Sequence, residues 1–167
     1  MNLTILTRKN CELVRQWRNQ DISIYRTPFL ITEEMQLNFY ENVICNRNSN
    51  HRYWAVVSGT PEAFLGMVGL TDISLENRNA EISIVLDPEI RGSGNGEKAF
   101  DLLLDKGFNE LNLDSIFAEC YEYNEAVKFW DKMAMKYKAD KVRLPMRKFY
   151  RGLYFASYFY TFVKEKL

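Results

Sequence analysis

Three glycines in five residues, Gly92-Ser93-Gly94-Asn95-Gly96, stand between a stretch that alternates like a strand and one that repeats like a helix. Glycine has no Cβ, so such a run can turn its backbone amides inward without clashes. At a helix start the first N–H groups lack intrahelical partners, and the helix dipole is positive there. The run Arg91, Gly92, Ser93, Gly94, Asn95 and Gly96 therefore reads either as a cradle for a phosphate or pyrophosphate or as a flexible turn. The stretch Gly94-Asn95-Gly96-Glu97-Lys98-Ala99 formally fits the dinucleotide pattern G-x-G-x-x-A. Asp87-Pro88-Glu89-Ile90-Arg91, however, separates it from the preceding strand, and the chain opening lacks repeated βαβ organisation. There is no Gly-Lys-Ser/Thr, so a Walker loop is excluded.

The flanking periodicities place this loop in a mixed architecture. Leu3 to Leu6 reads as a short strand, and Asn10 as the cap of a helix carrying Leu13, Val14 and Trp17. Thr32, followed by Glu33 and Glu34, predicts a second helix start, with Met35, Phe39 and Val43 as its buried stripe. Tyr53–Val57, Phe64–Thr71 and Ala80–Leu86 then read as three strands. In the third, Ile82, Ile84 and Leu86 face one way, and Glu81, Ser83 and Val85 the other. A helix follows from about Gly94 to Glu110, then a strand at Ile116–Tyr121 and a helix around Ala126, Phe129, Trp130 and Met133. One more strand fits near Lys138–Leu144, and Leu153–Val163 closes the order. The expectation is a single α+β domain over residues 1–167, a mixed sheet with helices on both faces. Phe149 to Phe162 holds eight aromatic residues. It reads as a central strand packed on both sides or, in part, as a subunit interface such as a homodimer contact.

Composition narrows the chemistry. Lys and Arg total 22 and Asp and Glu 22, so the net charge of zero argues against broad nucleic-acid binding. Cys11, Cys45 and Cys120 are odd in number and far apart, which excludes a disulfide framework. His51 is the single histidine, so a His-based metal cluster is excluded and no metal is expected. No signal-like run opens the chain and no 18-residue apolar stretch occurs, so a cytoplasmic protein without membrane partners is expected.

The run from Ala80 through Arg91, Gly94 and Gly96 resembles the signature segment of the GNAT superfamily of acetyl-CoA-dependent N-acetyltransferases, whose pattern is Arg or Gln, two residues, Gly, one residue, then Gly or Ala. Lys106–Ile116, Glu119–Trp130 and the aromatic terminal strand also look like that family. Arg15-Gln16-Trp17-Arg18-Asn19 resembles an element of the branch that acetylates ribosomal-protein N-termini and nucleotide-linked amino sugars. The resemblance implies a GNAT-like, mostly antiparallel twisted sheet and acetyl-CoA as cosubstrate. It implies contacts to the coenzyme from Val85, Leu86, the Arg91–Gly96 loop, Asn124 and Lys132, with a backbone amide near Val85 donating to the thioester oxygen. Two departures stand out. Trp130 occupies the position of the family's usual Tyr, the acid for the leaving thiolate, and Ala134-Met135 replaces Gly-Phe.

Acetyl transfer to an amine needs a base near the nitrogen and an acid near the sulfur. Glu81 is the leading base candidate, on the strand face it shares with Ser83 and Val85; Glu119 is the second. Tyr123 or Tyr121 would supply the acid. Trp17, Arg18, Asn19 and Tyr25 form the candidate acceptor wall, with Arg26 close by, its arginines meeting an anionic part of a small-molecule or peptide amine. Each residue also has a structural reading, as core, surface or salt-bridge partner. Two other functions stay open: a binding module of the same fold without catalysis, and an interaction domain that assembles through its aromatic strand.

Overall fold

A computed structural model describes residues 1–166. The strands are β1 (Asn2–Thr4), β2 (Arg52–Ser58), β3 (Ala63–Ser74), β4 (Asn79–Leu86), β5 (Ser115–Tyr121), β6 (Asp140–Tyr150) and β7 (Leu153–Val163). The helices are α1 (Arg8–Gln20), α2 (Glu33–Phe39), α3 (Asn95–Asp105) and α4 (Val127–Tyr137). The strands form one sheet in the order β1-β2-β3-β4-β5-β7-β6. Every neighbouring pair is antiparallel except β4–β5.

Side-chain alternation divides the core between the two faces of the sheet. Ala80 and Ile82 of β4 join Phe100, Leu103, Leu104, Trp130, Met133, Tyr160 and Phe162 beneath α3 and α4. Val85, one register position over, joins Leu6, Cys11, Val14, Ala55 and Met67 beneath α1. Phe100 is fully buried, with ring centroids 5.0 Å from Phe162 and 5.8 Å from Trp130. These edge-on contacts suit the opposite charges of ring face and ring rim.

Several local expectations are corrected. β1 stops at Thr4 because Thr7 caps α1; Thr7 Oγ1 accepts from the Asn10 N–H at 3.2 Å while Asn10 Oδ1 accepts from the Thr7 N–H at 3.1 Å. Asn10 thus closes a capping box from inside the helix instead of starting it. Thr32 does cap α2, yet Met35 is exposed and Gln36 takes the buried position. Gln36 and Cys11 line one cavity between α1 and α2, so the inward face of α2 carries a polar side chain. The aromatic run is not corrected in its main part: Leu153–Val163 is β7, inside the sheet between β5 and β6, while Phe149 and Tyr150 end β6. Among the described residues, no helix is long and apolar enough to cross a membrane.

Candidate active site

The parallel pair β4–β5 opens into a seam. Pairing holds for Asn79↔Ser115, Ala80↔Ile116 and Glu81↔Phe117, after which β4 continues to Leu86 and β5 to Tyr121 without a shared ladder. On its other edge β4 stays paired with β3 as far as Gly66↔Leu86. The Asp87 N–H donates to Leu65 O on β3 at 2.9 Å. Antiparallel alternation then turns the Val85 N–H toward β3 as well, and the N–H groups of Ile84 and Leu86 toward the seam. The donor expected near Val85 therefore belongs to one of its two neighbours.

The glycine loop lies beyond the open end of the seam. Gly92 and Gly94 adopt φ of +79° and +80°, the left-handed conformation that glycine tolerates best, and a Cβ on either would meet nothing within 4 Å. Gly94 caps α3 without a side-chain hydrogen bond to its first turn. Ser93 instead donates to Ile90 O at 2.6 Å and accepts from Asn95 Nδ2 at 2.8 Å, which shapes the turn from its own side chains. The result is an open, glycine-lined helix start, which fits an anionic group such as the coenzyme's pyrophosphate. Gly96 packs more closely, its would-be Cβ 3.4 Å from Phe129. Lys132 is exposed on α4 and pairs with Glu97 in the first turn of α3 at 2.5 Å.

At the closed end of the seam stand two carboxylates. Glu81 on β4 and Glu119 on β5 are both nearly buried. Arg26 Nη1 donates to Glu81 Oε2 at 3.0 Å and a second nitrogen contacts Glu81 Oε1. The same guanidinium lies 3.8 Å from Glu119. Glu119 also accepts from Arg147 Nε at 2.9 Å and from Ser157 Oγ at 2.5 Å. Burial opposes its charge, but these two donors and the nearby Arg26 hold its carboxyl below the usual range. The sequence reading turned Arg26 toward an anionic acceptor; in the structure it faces inward, onto the candidate base.

The segment between α1 and α2 crosses the mouth of the seam. Three successive carbonyls are tied to the far side: Ser23 O accepts from Tyr123 Oη at 2.6 Å, Ile24 O from Asn124 Nδ2 at 3.5 Å, and Tyr25 O from Lys148 Nζ at 3.1 Å. On the near side Asn19 grips both backbone groups of Ile31, donating at 2.8 Å and accepting at 2.9 Å. Arg18 lies 5.0 Å over the Tyr25 ring and donates to Thr27 Oγ1 at 3.0 Å. Its Nε is buried with no hydrogen-bond partner among the described residues, and burial lowers its pKa. Trp17 stacks on Phe64 at 5.6 Å. Of the four residues expected to face the acceptor, Arg18 and Asn19 thus hold the crossing segment, Tyr25 belongs to it and Trp17 packs on β3.

Tyr123 stacks beside Tyr121 and Tyr150, and burial, with those two rings alongside, raises its pKa. Its hydroxyl is engaged by Ser23. Tyr121 shares the strand face of Phe117 and Glu119, and no hydrogen bond to its hydroxyl occurs among the described residues. Asn124 Oδ1 accepts from the Ala126 N–H at 2.9 Å and so turns the chain into α4. Trp130 packs against Phe100 and Tyr160 on the opposite face of the sheet, away from the seam. Arg26, Arg147 and Ser157 are the site residues that sequence reasoning missed as partners of the carboxylates, and all three lie far from them along the chain. No local pattern announces any of them.

A strand pair that splays beside a glycine-led helix start belongs to a recognisable class, and the comparison with known families agrees. The acetyltransferase (GNAT) domain matches residues 2–129, and the chain belongs to that family. Curated relatives include a spermidine N(1)-acetyltransferase of Escherichia coli (strain K12), 32% identical over 76 residues, and one of Vibrio cholerae, 28% identical over 101 residues. These alignments cover 45% and 59% of this chain but only 41% and 56% of the relatives. The relatives thus carry a different acceptor from those of the branch that the Trp17-Arg18-Asn19 element resembles. A solved spermidine N-acetyltransferase variant from Vibrio cholerae superposes with a TM-score of 0.82 at 21% identity, covering 99% of this chain and 96% of that one. That likeness establishes the shared mixed sheet and its helices.

Proposed function

We propose that this chain transfers an acetyl group from acetyl-CoA directly to a primary amine of a small polyamine-type acceptor. The observation that carries the reading is the alignment along β4: a carboxylate at the closed end of the seam, unpaired strand amides beyond it, and an open glycine-led helix start at the far end. The names of the curated relatives support a polyamine acceptor, and so do two nearly buried carboxylates at one point.

The coenzyme supplies an acyl group activated as a thioester. Gly92 to Gly96 and the first turn of α3 bind its phosphates, with Lys132 at the rim. The N–H groups of Ile84 and Leu86 point at the acyl oxygen as it gains charge in the transition state. Glu81 takes the proton released as the amine nitrogen bonds to the acyl carbon. Tyr121 gives a proton to the departing sulfur, a role for which Tyr123 is less free. The pinned crossing segment excludes water from the acceptor side.

The test is thiol release from acetyl-CoA with an amine panel: spermidine, a diamine, an amino-sugar nucleotide and a peptide N-terminus. Turnover of the polyamine with little or none of the other two classes supports the reading. A second reading has its own observation. Both carboxylates already have cationic partners, and Arg18 and Lys148 lie close by, which suits an acceptor that carries an anionic group. Preferred turnover of the amino-sugar nucleotide would replace the first reading with this one. Failure of acetyl-CoA to shift the melting temperature would overturn both.

A further inference from the structure

Arg26 stands where an incoming ammonium would stand. Its guanidinium is bidentate on Glu81 and lies 3.8 Å from Glu119, so one cation spans both carboxylates at the closed end of the seam. The partners are unequal. The carboxylate side chains are 12% and 10% exposed and fixed on adjacent strands, whereas the Arg26 side chain is 55% exposed. Glu119 keeps Arg147 and Ser157 if Arg26 leaves. Glu81 keeps no other side-chain donor among the described residues.

The backbone around Arg26 has little freedom to carry it away. Ser23, Ile24 and Tyr25 are tied by their carbonyls to Tyr123, Asn124 and Lys148, and Thr27 is held by Arg18. Release is therefore a rotation of one side chain into solvent, with the crossing segment left in place.

We propose that Arg26 is an internal stand-in for the acceptor's ammonium, which an amine must displace before Glu81 can take its proton. The proposal rests on the amine-acetyltransferase reading above. A guanidinium matches a carboxylate with two parallel hydrogen bonds, whereas an ammonium is a compact point charge. A monoamine offers one such charge against a cation that touches two carboxylates. An acceptor with a second ammonium can meet Glu119 as well, so it displaces Arg26 with affinity to spare where a monoamine does not. A stand-in present about nine-tenths of the time weakens the apparent affinity of any acceptor about tenfold.

The experiment uses the full chain without coenzyme. Spermidine, 1,4-diaminobutane and n-butylamine are titrated by calorimetry into the wild type, Arg26→Ala and Arg26→Gln, the last keeping a polar side chain without the charge. Turnover with acetyl-CoA is measured in parallel. Both variants should bind the amines about threefold to tenfold more tightly, by a similar factor for each amine, and KM should fall more than kcat changes. Unchanged or weaker binding in both variants overturns the proposal, as does an absence of binding in all three proteins. Tighter binding without turnover in any protein keeps Arg26 as the stand-in and overturns the acetyltransferase reading instead.

Discussion

Glu81 and Phe117 are the last residues paired across β4 and β5, so the candidate base sits at the point where the sheet opens. Its backbone is paired on both edges, with Thr71 and with Phe117, and the ladder to β5 ends with it. Glu81→Gln preserves shape and removes the proton acceptor. We expect kcat/KM to fall by about a hundredfold or more near neutral pH, with partial recovery as the pH approaches that of the free amine. A pH–rate profile measured on both proteins decides this; superimposable profiles would remove Glu81 from the mechanism.

Gly94 has φ of +80° and open space above its Cα, so a side chain there carries a backbone penalty without a steric clash inside the fold. Gly94→Val should destabilise the protein by about 1–2 kcal/mol and leave it folded. The valine would project into the cradle at the start of α3, and acetyl-CoA affinity should drop by about tenfold or more. Calorimetry with the folded variant checks this, and undiminished affinity would move the pyrophosphate elsewhere.

Glu119 makes the fold sensitive to acid. Its carboxyl lies below the usual value near 4.5 in the folded protein, so its contribution to stability is fully present above that pH. The contribution is lost as the pH falls through the lower, folded-state value. Melting temperatures of the wild type and Glu119→Gln should differ most above about pH 5 and converge as the pH falls toward 3. A constant gap over this range would show that the carboxyl titrates alike in both states.

Arg18 supports the acceptor side through Tyr25 and Thr27. Arg18→Ala should raise the acceptor's KM several-fold and leave the dissociation constant of acetyl-CoA unchanged. Arg18→Lys should rescue poorly, because an ammonium cannot replace a planar group that lies over a ring and reaches a hydroxyl at once. Loss of coenzyme affinity with acceptor kinetics intact would show that the two sides are assigned the wrong way round.

What was legible in the sequence follows the range of the interactions concerned. The strand alternation that puts Glu81 and Val85 on one face needs only neighbouring residues, and the structure bears it out. The glycine loop is equally local. Cap choice is less so: Thr7 and Asn10 are both good caps, and tertiary burial of Leu6 beside Cys11 and Val14 sets which begins α1. The inward face of α2 was misjudged because a polar residue, Gln36, takes the buried position. Arg26 looked like a ligand for an acceptor anion, since nothing near it in sequence reveals Glu81, 55 positions away.

The ties of the crossing segment also bear on how the molecule assembles. Ser23 and Ile24 reach partners 100 positions downstream, and Tyr25 reaches one 123 positions downstream. The glycine loop and α3, proposed to meet the coenzyme, follow β4 within a few residues of chain. The start of α3 needs only neighbouring residues, but its core face waits for Phe162 as the crossing segment waits for Lys148. Long loops must close before those distant contacts form, so they belong to the slow part of folding. A nascent chain held short of Lys148 would lack both the third tie of the crossing segment and the Phe162 ring against which α3 packs.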